Sequence, residues 1–156
     1  MGDRGPQPIK QGQLDGIATP TDSLRTFSEQ MAGRFGPPPK TDEERRAKMA
    51  PFLRSGQAAG IAFDLEVKAQ YQPVESQRLL LWAGRYGLQE PFMSALNTMH
   101  FERRQSASER TTLLAAAAEV GLDTSAAEAF LDSDELYDEV WRSYGSTIRE
   151  AGIRMV

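Results

Sequence analysis

Apolar residues recur along most of the chain at the three- and four-residue spacing that is typical of amphipathic helices. The pattern predicts helices over 23–34, from 41, over 74–86, from 91, from 108, from 125 and over 134–151. Thr41 with Glu44 and Ser125 with Glu128 match the capping-box pattern, and Ser108 is a further candidate cap. Glycines follow several of the predicted helix ends, at Gly36, Gly87, Gly121 and Gly152.

The first predicted helix carries Leu24, Phe27 and Met31 at helical spacing, with Phe35 just beyond its end. In the helix that begins at Thr41, Pro51 is expected to kink or end the element. Leu79–Ala83 is apolar nearly all round, which predicts a helix in the core. The last helix presents an apolar face made of Tyr137, Val140, Trp141, Tyr144 and Ile148.

One segment follows a different period. Ile61, Phe63, Leu65 and Val67 alternate with small or charged residues, and this period of two predicts a half-buried strand or an extended segment. It is the only clear strand signal in the chain. The sequence therefore predicts a mainly α fold, a helical bundle with at most one or two short strands.

The domain organisation follows from the glycines and prolines. Residues 1–20 are rich in both and poor in apolar side chains, so we expect a flexible tail there. Pro37, Pro38 and Pro39 exclude helix and stiffen a linker. Residues 21–156 are predicted to form one domain.

Composition excludes several classes of function. The chain has 156 residues, no cysteine, one histidine, 18 basic and 22 acidic residues. It therefore lacks a disulfide framework, a thiol nucleophile and a Cys-x-x-Cys pair. The net charge of −4 argues against nucleic acid or an anionic membrane as partner, and no apolar run is long enough to span a bilayer. With no recognisable secretory or transit signal, we expect a cytoplasmic location.

The candidate chemical groups favour structural roles. His100 borders an apolar face and is a candidate general base, but no acid lies at a spacing that would orient it. The acidic group at Asp132, Asp134, Glu135, Asp138 and Glu139 lacks the spacing of a calcium loop, and Asp138 lies four residues before Arg142, a favourable surface pair. Gly56 and Gly60 match Gly-x-x-x-Gly, but the segment is too polar for that motif to have its membrane meaning. We interpret two basic groups as solvated faces, namely Arg45 with Arg46 and Lys48, and Arg103 with Arg104. The tryptophans Trp82 and Trp141 are predicted to be core residues. The sequence thus predicts no catalytic, cofactor-binding or metal-binding residue.

Three stretches together carry a family resemblance. They are Glu75–Ala83, Leu96–Phe101, and Ala118–Asp123 running to Phe130-Leu131, with Ala151-Gly152-Ile153 near the end. In this order and approximate spacing they resemble the DsbA-like thioredoxin-fold family, in particular its FrnE-like and 2-hydroxychromene-2-carboxylate isomerase-like branch. One position departs from the pattern, because Gln77 stands where the family usually has histidine.

The resemblance implies that these helices are the insertion that covers the active site of a thioredoxin fold. It implies protein-disulfide oxidoreductase or glutathione-dependent isomerase ancestry. The family's catalytic Cys-x-x-Cys or serine precedes this insertion, and its cis-proline follows the final Gly-Ile segment. Residues 1–25 do not resemble the first region, and the chain stops at Val156, where the second would begin. No catalytic residue of the family can therefore be assigned to a position here.

Two hypotheses follow, and the sequence leaves both open. In the first, the chain is a DsbA-family oxidoreductase truncated at one or both ends and inactive as it stands. In the second, it is a non-catalytic helical binding or scaffold protein, whose exposed apolar face meets a protein partner or a second copy.

Overall fold

The computed structural model describes residues 25, 26, 28, 37, 39–69 and 74–150. Helices α1 to α6 span Asp42–Ala58, Val74–Gly84, Gln89–Glu102, Arg110–Glu119, Thr124–Asp132 and Tyr137–Glu150. Strands β1 and β2 span Arg25–Thr26 and Lys68–Ala69. The predicted mainly α fold with at most two short strands is confirmed. The predicted tail over 1–20 lies outside the described residues.

The core lies among α2, α3, α4 and α5. Helix α3 packs between α2 and α4, and α5 contacts both α2 and α4. Leu79, Phe92 and Leu113 are almost wholly buried at the centre, and the ring of Trp82 stacks on Phe130 with the centroids 5.6 Å apart. Each such side chain contributes about 1.5–3 kcal/mol by leaving water. The prediction that Trp82 is a core residue is confirmed. Leu81 on the same helix is 37% exposed, so α2 is not buried on every side.

Three helices end in the same way. Beyond α1, α2 and α4 lie Gly60, Gly87 and Gly121, each with a positive φ between 71° and 82°. In each case the next residue donates its N–H back to a carbonyl five positions earlier, as Leu122 does to Ala117 at 3.0 Å. The glycine stops predicted at 87 and 121 are confirmed, and those predicted at 36 and 152 lie outside the described residues.

The helix starts differ in detail from the predictions. Thr41 caps α1 by accepting from the N–H of Glu44 at 3.2 Å, but the Glu44 carboxylate accepts from the N–H of Lys40 and not from that of Thr41. Helix α5 is capped by Asp123, which accepts from the N–H of Ala126 at 3.0 Å. The predicted cap at Ser125 is wrong, because Ser125 already lies in the first turn.

The predicted cap at Ser108 is also wrong. Its N–H donates to the hydroxyl of Ser106 at 3.2 Å, in a turn that precedes α4. The helix starts two residues later with Glu109 as its cap residue and without a capping side chain. The local serine turn thus displaces the start of the helix.

The alternating segment is not a regular strand. Residues 61–64 are irregular, and a turn follows at 65–66, where Asp64 accepts from the N–H of Glu66 at 3.0 Å. The N–H of Asp64 donates to the carbonyl of Phe101 at the end of α3 and not to a neighbouring strand. The alternation still governs burial, because Leu65 and Val67 are buried while Ala62 and Glu66 are exposed. The period of two therefore predicts correctly which side chains are buried, but it does not predict the backbone hydrogen bonds of residues 61–66.

Only the end of this segment forms a ladder. Lys68–Ala69 pairs antiparallel with Arg25–Thr26. The helix predicted over 23–34 is thus wrong at residues 25 and 26, because backbone pairing with β2 holds them extended, whereas residue 28 is helical. Leu24, Phe27, Met31 and Phe35 lie outside the described residues. Helix α1 continues through Pro51, so that proline does not end it.

Candidate functional site

A groove of about 420 Å³ lies between α1, the irregular segment 61–66 and the end of α3. Its apolar side chains Met49, Leu53, Phe63 and Leu65 are called the floor, and its charged side chains of both signs are called the rim. The lining residues are Ser28, Arg45, Arg46, Met49, Leu53, Ala62, Phe63, Asp64, Leu65, Glu66, Glu102 and Arg104. We refer to this feature as the groove.

The floor of the groove is apolar and firmly positioned. The ring of Phe63 lies 4.6 Å from that of Phe52 on α1 and 5.9 Å, edge to face, from that of Phe101 on α3. Helix α1 approaches this ring closely at Gly56, where a Cβ atom would overlap the Phe63 side chain. Gly56 thus has a packing role, because it lets α1 approach the irregular segment closely.

The rim is held by ion pairs and hydrogen bonds across the elements. Arg104 donates its Nε–H to Asp64 Oδ2 at 2.8 Å, and this pair links the end of α3 to the irregular segment. Glu102 accepts from the N–H of Ala62 at 3.2 Å. Ser28 donates its hydroxyl to Glu66 at 3.3 Å. Charged groups of both signs therefore face the groove in fixed positions.

The electrostatics of the rim favour permanent charges. Desolvation acts to raise the pKa of Asp64, but the Arg104 hydrogen bond, the Glu66 N–H and the Arg104 charge outweigh it, and the pKa lies below its usual value. The hydrogen bond and charge of Asp64 raise the pKa of Arg104 in turn. A carboxylate with a lowered pKa is a poor proton donor and also a weak proton acceptor at neutral pH. The pair is therefore suited to orienting a polar ligand and not to acid–base catalysis.

Arg104 occupies an unusual backbone conformation. Its φ is 54°, and Leu136 is the only other non-glycine residue in the described part with a positive φ. The left-handed region costs a residue with a Cβ about 1–2 kcal/mol. Three other helix ends place glycine in this conformation, whereas α3 is followed by an arginine whose side chain reaches the groove. Arg104 thus combines the conformation that ends the helix with a side chain that lines the groove.

His100 makes a structural hydrogen bond. It lies half-buried near the end of α3, where its Nδ1 accepts from the N–H of Ala107 at 3.1 Å. Burial lowers its pKa, which favours the neutral ring. The imidazole thus ties the loop after α3 to the helix, in line with the structural role predicted for it.

The acidic group near the start of α6 is spread over separate pairs. Asp132 pairs with Arg110 at 2.6 Å, and Glu135 pairs with Arg85 at 2.7 Å. Arg142 donates to the backbone carbonyl of Asp138, so the predicted carboxylate pair is replaced by a backbone contact. In the part of the chain that the structure describes, no three metal-ligating side chains form a group that could hold an ion.

Sequence reasoning missed Arg78, which is buried in α2. Its guanidinium donates to the Glu75 carboxylate at 2.8 Å and 3.0 Å, and to the carbonyls of Glu135, Phe130 and Ser133. It also lies over the Phe130 ring, 5.1 Å from the centroid. The only local signal is Glu75 three residues earlier. Arg78 borders a second cavity of about 350 Å³, where it fixes the connection between α5 and α6.

Sequence reasoning also missed the groove. It interpreted Arg45, Arg46 and Arg104 as solvated faces, and the structure brings all three to the groove from two distant parts of the chain. No spacing along the chain signals that meeting, because it depends on how α1 packs on the segment after it.

Comparison with protein-family models gives a match over most of the chain. A family model described as DSBA-like thioredoxin domain matches residues 26–150. No curated protein sequence matches the chain. Within the described ranges, no helix combines the length and the apolar character needed to cross a bilayer.

Proposed function

The chain belongs to the DSBA-like thioredoxin domain family, and from this premise we propose that it binds a polypeptide segment in the groove. The family suggests thiol–disulfide exchange, in which a thiolate attacks a disulfide sulfur. The 156 residues contain no cysteine, so they supply no sulfur for that reaction. The function proposed for this chain is therefore recognition, without thiol chemistry of its own.

The observation that carries the proposal is the composition of the groove. Its floor of Met49, Leu53, Phe63 and Leu65 accommodates an apolar side chain, and methionine adapts well to varied partners. Its rim offers three arginines and three carboxylates: Arg45, Arg46 and Arg104, with Asp64, Glu66 and Glu102. This balance favours neither a simple anion nor a simple cation. It matches a polypeptide that carries an apolar residue between charges of opposite sign.

A second candidate function is thiol–disulfide oxidoreduction with the sulfur supplied by another polypeptide. The family match favours it, since the family suggests that chemistry. Membership of the FrnE-like branch, a protein partner or second copy, and a cytoplasmic location remain predictions.

The proposal is tested with a fluorescein-labelled peptide in which one phenylalanine lies between a lysine and a glutamate. We expect saturable binding by fluorescence anisotropy, and weaker binding when the phenylalanine is replaced by alanine. Burial of that ring contributes about 1.5–3 kcal/mol, so the affinity should fall by about tenfold or more. Leu53→Glu should weaken binding by a similar factor, because it puts a carboxylate on the apolar floor.

Leu81→Glu is the matched control. Leu81 is also partly exposed on a helix, but it lies outside the groove. Circular dichroism should show that both variants remain folded. Equal binding by the two variants, or no binding by the native chain, would contradict the proposal. Insulin reduction by dithiothreitol should run at the same rate with and without the chain, because the chain supplies no thiol, and acceleration by the chain alone would contradict a function without thiol chemistry of its own.

A further inference from the structure

The loop between α3 and α4, residues 103–109, is attached to α3 at two points. The N–H of Gln105 donates to the carbonyl of Met99 at 2.9 Å, and the N–H of Ala107 donates to Nδ1 of His100 at 3.1 Å. Between α3 and these attachments stands Arg104, whose side chain holds Asp64 on the groove rim. The position of the rim thus depends on a loop that an imidazole helps to hold.

The hydrogen bond from Ala107 requires a particular state of the ring. Nδ1 accepts a hydrogen bond only when it carries no proton, so the other nitrogen, Nε2, bears the hydrogen of the neutral ring. A proton on Nδ1 would place two donors face to face. The Ala107 attachment therefore cannot survive protonation of His100.

Four charged side chains on the surrounding elements have partners other than His100. Arg103 pairs with Glu119 at 3.6 Å, Arg104 pairs with Asp64, and Arg110 pairs with Asp132. Glu102 accepts from Ala62, and Glu109 joins the turn before α4 through its backbone. The nearest ring is that of Phe101, 4.7 Å away and edge to face. Burial alone accounts for the lowered pKa of His100.

We propose that protonation of His100 releases the loop at Ala107, loosens the Arg104–Asp64 pair and so weakens peptide binding in the groove. The binding part rests on the function proposed above, whereas the loop part stands on the two hydrogen bonds. His100 is the only histidine of the chain, so no other side chain has an ordinary pKa between about 5 and 8. A change that follows the titration of the His100 ring therefore reports on this residue.

The test follows the amide resonances of Ala107 and Arg104 by NMR from about pH 7.5 to about pH 5, beside the ring protons of His100. We expect both amides to shift along the titration curve of the ring, with a midpoint below its ordinary value of about 6.5. His100→Asn is the informative variant, since its carboxamide oxygen can accept from Ala107 but does not titrate. In this variant the two amides should stay constant over the same range.

Peptide affinity supplies the second readout. In the native chain it should fall roughly fivefold between about pH 7.5 and about pH 5.5, consistent with the loss of one hydrogen bond. In His100→Asn it should stay constant, and in His100→Ala it should be low throughout. Amides that do not follow the His100 ring would overturn the coupling, as would an equal loss of affinity in His100→Asn. Amides that follow the ring in a chain that binds no peptide at any pH would support the loop part and contradict the proposed function.

Discussion

At the scale of single residues, the chain uses arginine in two different ways. The side chain of Arg78 is only 3% exposed and is surrounded by acceptors, one carboxylate and three backbone carbonyls. Arg104 is exposed and accepts an unfavourable backbone conformation to reach Asp64. A buried cation is tolerated when its donors are satisfied. Arg78 therefore has a structural role, whereas Arg104 is one of the charged residues on the groove rim.

Arg78→Met should lower the free energy of unfolding by about 3 kcal/mol, because buried carbonyls lose their donors. Arg78→Lys should give an intermediate loss, since an ammonium cannot reproduce the planar fork of donors. Urea unfolding followed by circular dichroism measures both. Arg85→Met, in the turn directly after the same helix, is the control, and it should cost at most about 1 kcal/mol because its pair with Glu135 is exposed. Equal losses at positions 78 and 85 would refute the structural role of Arg78.

At the scale of elements, the helix ends followed from the sequence more faithfully than the helix starts. A glycine directly after an apolar helical pattern usually ends the helix with a positive φ, as Gly87 and Gly121 do here. A start is harder to predict, because Ser, Thr and Asp cluster before a helix and each can cap it. At the start of α5, the preceding turn determines which residue is the cap. The N–H of Leu122 donates to the carbonyl of Ala117, and this places Asp123 at the cap position.

Asp123→Ala should therefore lower the free energy of unfolding by about 1 kcal/mol, the usual loss on removing a capping side chain. Ser125→Ala should change it by less than about 0.5 kcal/mol, because that side chain is exposed inside the first turn. Chemical denaturation of the two variants in parallel makes the comparison. The reverse order would show that Ser125 is the cap, as the capping-box pattern predicts.

At the scale of the whole molecule, the helical architecture could be predicted and the groove could not. Helical periodicity identifies faces locally, and the core of α2 to α5 follows from those faces. The groove brings Arg45 and Leu53 of α1 into one lining with Phe63 and Arg104, which lie in later segments of unlike pattern. The family resemblance adds an expected thiol chemistry but assigns none of these residues, because the chain has no cysteine.

The central claim is that a polypeptide binds in the groove, and NMR mapping of the peptide described above tests it most directly. We expect shifts at the methyl groups of Met49, Leu53 and Leu65 and at the amide of Arg104, with the deeply buried Leu113 unchanged. The exposed apolar side chains Leu81 and Tyr137 lie outside the groove and serve as reporters of any other binding surface. Shifts centred on those two residues, with the groove unchanged, would contradict the account.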